Sequence, residues 1–169
     1  MSDTTPAIRC ARPEDVPVLL EMFAELADYE HLTHELRAKE SQLHAALFGP
    51  APAAQALIAE RSDTGEAIGY AVYFPTFSTF LASTGFWLED LFVRPTHRRG
   101  GVGRALLAEV AAELSARGGE RLEWAALDWN ELALGFYRGL GAKTATEWIT
   151  HRLSGEALLR LAEESPPQR

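Results

Sequence analysis

The stretch that most constrains this chain is Arg98-Arg99-Gly100-Gly101-Val102-Gly103-Arg104. A dense apolar segment, residues 86–93, leads into it, and a strongly periodic segment, residues 102–116, leads out. That order predicts a strand, a glycine turn and a helix. Glycine has no Cβ, so the main chain can come close to a bound group. A turn between a strand end and a helix start also aims several backbone N–H groups at one point, which suits an anion. Arginines on the same turn add positive charge. The pattern predicts a phosphate cradle; from this stretch alone the alternative is a solvated, arginine-rich bend.

Spacing separates the known phosphate loops. A Walker A loop needs Gly-Lys-Ser/Thr, and no such residues follow Gly103. A dinucleotide fingerprint needs G-x-G-x-x-G/A, and from Gly101 its last position falls on Leu106. What remains is Arg98-x-x-Gly101-x-Gly103.

The 169 residues suit one domain with a sizeable core, and 47% hydrophobic residues exclude a disordered chain. Sixteen Lys plus Arg against 24 Asp plus Glu give a net charge of −8. That balance argues against nucleic acid as a partner and is compatible with a cationic substrate. The lone Cys10 cannot form an internal disulfide, and no Cys/His cluster suggests a metal site. No signal peptide and no membrane-spanning run is legible, so a soluble cytoplasmic protein without a membrane partner is expected.

Periodicity predicts strands at 7–10, 56–60, 67–74, 86–93, 122–127 and 146–153. Helices are expected over 14–29, 40–48, 102–116 and 130–140, with a short helix or turn at 155–162. Residues 75–84 read as an irregular loop, and residues 62–65 as a hairpin turn. Residues 1–6 and 165–169 are expected to be flexible ends around a single domain, 7–164. The early strands can form an antiparallel meander, and the later strand–helix–strand pairs favour parallel neighbours. The fold class is therefore α/β with a mixed (α+β) sheet flanked by helices.

The strand Trp87-Leu88-Glu89-Asp90-Leu91-Phe92-Val93, the loop Arg98 to Gly103, and the later Asp128-Trp129-Asn130 and Gly135-Phe136-Tyr137-Arg138 stand in a telling order. Together they resemble a GNAT N-acetyltransferase, and the resemblance covers about residues 8–164. Leu88-Glu89-Asp90, Glu25-Leu26-Ala27-Asp28-Tyr29-Glu30 and Trp129-Asn130-Glu131 are similar to the spermidine/spermine and thialysine acetyltransferase branch. The resemblance implies a GNAT fold, with mostly antiparallel N-terminal strands and a parallel central pair. It implies acetyl-CoA as co-substrate and a homodimer, its interface around residues 148–153.

Acetyl transfer needs a neutral amine, a polarised thioester and a protonated leaving group. An ammonium of pKa about 10.4 leaves roughly one amine in 2,500 neutral at pH 7, a cost of about 4–5 kcal/mol that calls for a base. Glu89 is the candidate base, and in simple strand alternation it points away from Asp90. The alternative is a solvated carboxylate at a strand edge. The resemblance implies that Glu89 takes the proton through water and that Tyr137 protonates the departing thiolate; a packed core tyrosine is the other reading of Tyr137. It also implies that the backbone of Leu91, Phe92 and Val93 holds the thioester and pantetheine. Arg98, Arg99, Gly100, Gly101, Val102, Gly103 and Arg104 would hold the diphosphate, and Asn130 the coenzyme arm, although asparagine is equally a good helix N-cap.

Tyr29, Glu30, Glu89 and Asp90 match positions that line the amine site. Carboxylates beside an aromatic suit a cation, while Tyr29 and Glu30 can equally be an ordinary helix end. The polyamine enzymes carry an acid before the Leu-Glu-Asp strand. Residues 76–84 here have Phe77 and Phe80 but no acid, which favours a small primary amine over a long polyamine. Other acceptors, a protein N-terminus or an aminoglycoside, and a coenzyme A sensor without catalysis stand as alternatives.

Overall fold

The computed structural model describes residues 6–166, and the expectations for residues 1–5 and 167–169 lie outside them. The described chain divides into two compact units, up to Ala125 and from Ala126, which are described separately.

The first unit opens with β1 (Ala7–Cys10), a single 3-10 turn at Pro13–Asp15 and α1 (Val16–Tyr29). The Asp15 carboxylate accepts the Arg12 N–H at 2.7 Å and binds Arg9 at 2.6 Å, and Arg9 also donates to Glu60 at 2.9 Å. This pins the helix start to the sheet and holds the Asp15 carboxyl below its usual range. The chain continues through α2 (Glu40–Phe48), β2 (Gln55–Glu60), β3 (Ala67–Ser78), β4 (Ser83–Val93), α3 (Val102–Ala116) and β5 (Arg121–Trp124). The strands lie in the order β1-β2-β3-β4-β5; β1 to β4 pair antiparallel, and β4 with β5 is the parallel pair.

Two faces follow from strand alternation. Tyr70, Val72 and Phe92 face α1 and α2, packing with Leu19, Met22, Leu47 and Ile58. The opposite face carries Tyr73, Phe86 and Leu88 under α3, where the Tyr73 hydroxyl donates to Glu113 and Tyr73 stacks 5.1 Å from Phe86. The α3 residues Val102, Leu106, Leu107, Val110 and Leu114 are all buried, as their spacing requires. Burying each such side chain contributes about 1.5–3 kcal/mol.

Several boundaries differ from the sequence expectation. Residues 75–84 are not an irregular loop: β3 and β4 extend as a hairpin, with Phe77 opposite Thr84 and Ser78 opposite Ser83. Pro75 is accommodated because β2 ends at Gln55 opposite Tyr73, so beyond it β3 has an open edge where a missing N–H costs no ladder bond. The strand expected over 122–127 is Arg121–Trp124, since its pairing with β4 stops at Leu88.

The second unit holds α4 (Glu131–Gly139) and α5 (Gly155–Glu163). The strand expected over 146–153 is not formed, and none of the described strands pairs with that segment. Strand preference lies in side chains, whereas a strand exists only where a neighbour takes its hydrogen bonds.

Candidate active site

The centre of the first unit's site is a β-bulge. Val72 and Tyr73 are consecutive on β3, but their partners on β4 are Asp90 and Leu88, so Glu89 is the extra residue. The bulge overturns the expectation that Glu89 points away from Asp90. Asp90 shares the α1 face with Val72 and lies 3.5 Å from the Tyr70 hydroxyl. Glu89 accepts a hydrogen bond from the Trp87 indole N–H at 2.9 Å, and Trp87 is opposite Phe74 on that same face. An inserted residue shifts the alternation by one, so both acids serve one side of the sheet.

The bulge also ends the parallel pairing. Gly85 to Leu88 match Arg121 to Trp124, and from Glu89 onward β4 has no strand partner on that side among the described residues. The main chain of Leu91, Phe92 and Val93 therefore has an edge free of sheet pairing on that side.

Electrostatics mark the acidic cluster. Burial, then the charges of Glu89 and Glu30, push the Asp90 carboxyl up to about 6. Burial also raises the Glu30 carboxyl, and burial with the nearby Asp90 holds the Tyr70 phenol far above its ordinary range. Glu30, Glu89 and Asp90 are thus brought together at the bulge, and Tyr29, next to Glu30 at the end of α1, lies against Arg98. Glu89 is exposed, so the carboxylate named as base is open to solvent while its neighbour is sheltered.

Beyond β4 a 3-10 turn, Pro95–His97, leads to the loop. Arg99 (φ 68°) and Gly101 (φ 80°) both adopt the left-handed conformation, and a Cβ on Gly101 would meet nothing within 4 Å. The first ladder bond of α3 runs from the Ala105 N–H to the Gly101 carbonyl at 2.9 Å. The amides of Val102, Gly103 and Arg104 therefore have no intrahelical acceptor, and no side chain caps the helix. Uncapped amides at a helix start suit an anion. Arg99 and Arg104 are exposed and ion-pair with no carboxylate among the described residues. Arg98 instead lies over the Tyr29 ring, its Cζ 4.6 Å from the centroid.

In the second unit the Asn130 side chain accepts the Ala133 N–H at 3.2 Å, so it caps α4. Tyr137 is half-buried, with its ring 5.3 Å from Phe136. Among the described residues no group of His, Cys, Asp and Glu could hold a metal, and no helix is long and apolar enough to cross a membrane.

Sequence reasoning passed over Tyr70, Trp87 and Arg94. Arg94 pairs with Glu21 and, at 2.9 Å, with Glu25, and donates to the Ala67 carbonyl at 3.1 Å, tying α1 to the end of β4. Each acts through a partner remote in sequence or across the bulge; the available signal was a polar tip in an otherwise apolar strand.

The acetyltransferase (GNAT) family matches residues 18–142. The chain is 35% identical to a thialysine N-epsilon-acetyltransferase of Mus musculus over 164 residues, spanning 92% of this chain and 96% of that protein. It is 32% identical to an L-ornithine N5-acetyltransferase of Arabidopsis thaliana, spanning 89% and 85%. Among solved structures, an integron cassette protein from the V. cholerae mobile metagenome superposes with a TM-score of 0.77 at 26% identity, covering 94% of this chain and 98% of that one. A match running from α1 through the bulged strand, the glycine loop and the tyrosine helix leaves one conclusion: the chain belongs to the GNAT family and is an acetyl-CoA-dependent N-acetyltransferase.

Proposed function

We propose that this enzyme transfers acetyl directly, in a ternary complex, to the primary amine of a small cation of the diamine or thialysine type. The observation that carries the reading is the group Glu30, Glu89 and Asp90 gathered on one side of the bulge, next to Tyr29. Negative charge partly withdrawn from water gains most from a cationic ligand. The relatives' acceptors, thialysine and ornithine, carry such an amine on an amino acid.

In this reading the amides of residues 100–104, with Arg99 and Arg104, hold the diphosphate, and Arg98 lies beside them. The main chain of Leu91, Phe92 and Val93 holds the pantetheine and polarises the thioester, and Asn130 contacts the coenzyme arm while capping α4. Glu89, exposed and oriented by Trp87, takes the ammonium proton through water. The freed nitrogen forms the C–N bond with the thioester carbon, and the C–S bond then breaks as Tyr137 gives its proton to the thiolate. The second nitrogen proton passes through water to restore the Tyr137 phenol, leaving a neutral amide and a neutral thiol. No acyl-enzyme forms, because Cys10, the only cysteine, lies on β1, remote in sequence from these motifs. The same reading makes 7–164 one functional domain of a cytoplasmic homodimer that binds neither nucleic acid nor membrane. Its contact would use the segment containing the exposed Trp148 and Ile149.

The experiment is calorimetry with acetyl-CoA and CoA, followed by thiol release with thialysine, ornithine, 1,4-diaminobutane and spermidine. Coenzyme binding with fastest release on a short amine is expected. No affinity for either coenzyme form overturns the reading, and turnover confined to a protein N-terminus or an aminoglycoside replaces the acceptor.

A further inference from the structure

Arg98 belongs to the glycine loop by sequence, but its side chain is engaged elsewhere. Its Cζ stands 4.6 Å from the Tyr29 ring centroid and 5.8 Å from that of Phe92, and its Nε donates to the Val93 carbonyl at 2.9 Å. Tyr29 is the last residue of α1 and Val93 the last of β4. One side chain therefore joins the coenzyme loop, the strand that carries the bulge and the helix end that carries Glu30.

We propose that Arg98 is a strut that couples the coenzyme loop to the acceptor pocket, so that coenzyme on the loop strengthens amine binding beside Tyr29. A planar guanidinium can stack on a ring and donate in its own plane at once, whereas an ammonium is a point charge that cannot do both. Arg99 and Arg104 stay exposed on the same loop, so positive charge for a diphosphate does not depend on Arg98. Ordering of the loop by coenzyme holds Arg98, and Arg98 holds Tyr29. Thermodynamic linkage makes the effect reciprocal: the amine must tighten coenzyme binding by the same factor.

This inference rests on the acetyl-transfer reading, and its test separates the two. Whichever of thialysine, ornithine and 1,4-diaminobutane gives the fastest thiol release is titrated calorimetrically into free protein and into protein saturated with CoA, which cannot react. Wild type is expected to bind the amine about five-fold more tightly with CoA present, the size of one partly sheltered stacking contact. Arg98→Lys and Tyr29→Leu each bring that ratio close to one, and the double variant lowers it no further. Arg99→Ala, in contrast, weakens CoA binding and keeps the ratio. CoA binding in wild type with a ratio of one, or an Arg98→Lys variant that loses CoA affinity while keeping the ratio, overturns the strut alone. A wild type that binds no CoA overturns the acetyl-transfer reading together with it.

Discussion

Asp90→Asn should stabilise the fold and weaken amine binding at the same time. Asp90 faces the α1 side of the sheet near Tyr70, and burial with the charges of Glu89 and Glu30 pushes its carboxyl up to about 6. In the unfolded chain an aspartate titrates near about 3.9. The native state therefore holds this proton more tightly, and stability falls as pH rises through the window from about 4 to about 6. The difference costs at most about 3 kcal/mol at pH 7 and about 1 kcal/mol at pH 4.5. Asparagine keeps an acceptor for the Tyr70 hydroxyl but weakens that bond by about 1 kcal/mol. The variant should then be about 2 kcal/mol more stable than wild type at pH 7, or about 4–8 °C in Tm, and equal to it near pH 4.5. Urea unfolding followed by tryptophan fluorescence at both pH values reads this, with four tryptophans as reporters. Amine affinity at pH 7 should fall about ten-fold or more with loss of one charged hydrogen-bond acceptor. A variant destabilised equally at both pH values would refute the reasoning, because Asp90 would then be a structural partner of Tyr70 and not a charge held against its own solvation.

Glu89→Gln should lose most activity at neutral pH and regain it in alkali. Free amine rises about a hundred-fold between pH 7 and pH 9, and thiol release should follow it; an equal loss at every pH would mark a structural role. Tyr137→Phe should lower turnover by about 100-fold or more while calorimetry shows unchanged acetyl-CoA affinity, and an unchanged rate removes Tyr137 from its role. Gly101→Ala meets no atom within 4 Å, so its cost is the left-handed backbone alone, about 1–2 kcal/mol in thermal unfolding. Weaker CoA binding should accompany it, since the amides it orients are the proposed cradle.

What was legible along the chain was local. The spacing of Val102, Leu106, Leu107, Val110 and Leu114 marked the buried face of α3, and glycines marked the turn before it, because a helix face and a left-handed residue are set by neighbours within four positions. Residues 75–84 read as a loop because composition does not show the strand pairing that makes them a hairpin, nor the open edge that tolerates Pro75. Residues 146–153 misled because strand preference does not supply a partner. The site residues were found as a list of types in order; their arrangement was not.

The sequence by itself determined which residues are available: a carboxylate pair before a glycine turn, a phenol after it, and the periodicity that buries the helices. Tertiary structure alone decided that Glu89 is the inserted residue, that Asp90 shares its side of the sheet with Glu30 near, and that Arg98 rests on Tyr29. The physical reason is register. A bulge exists only in the pairing of two strands: Val72 and Tyr73 against Asp90 and Leu88 set the direction of both carboxylates, and those four residues meet only after the hairpin has closed.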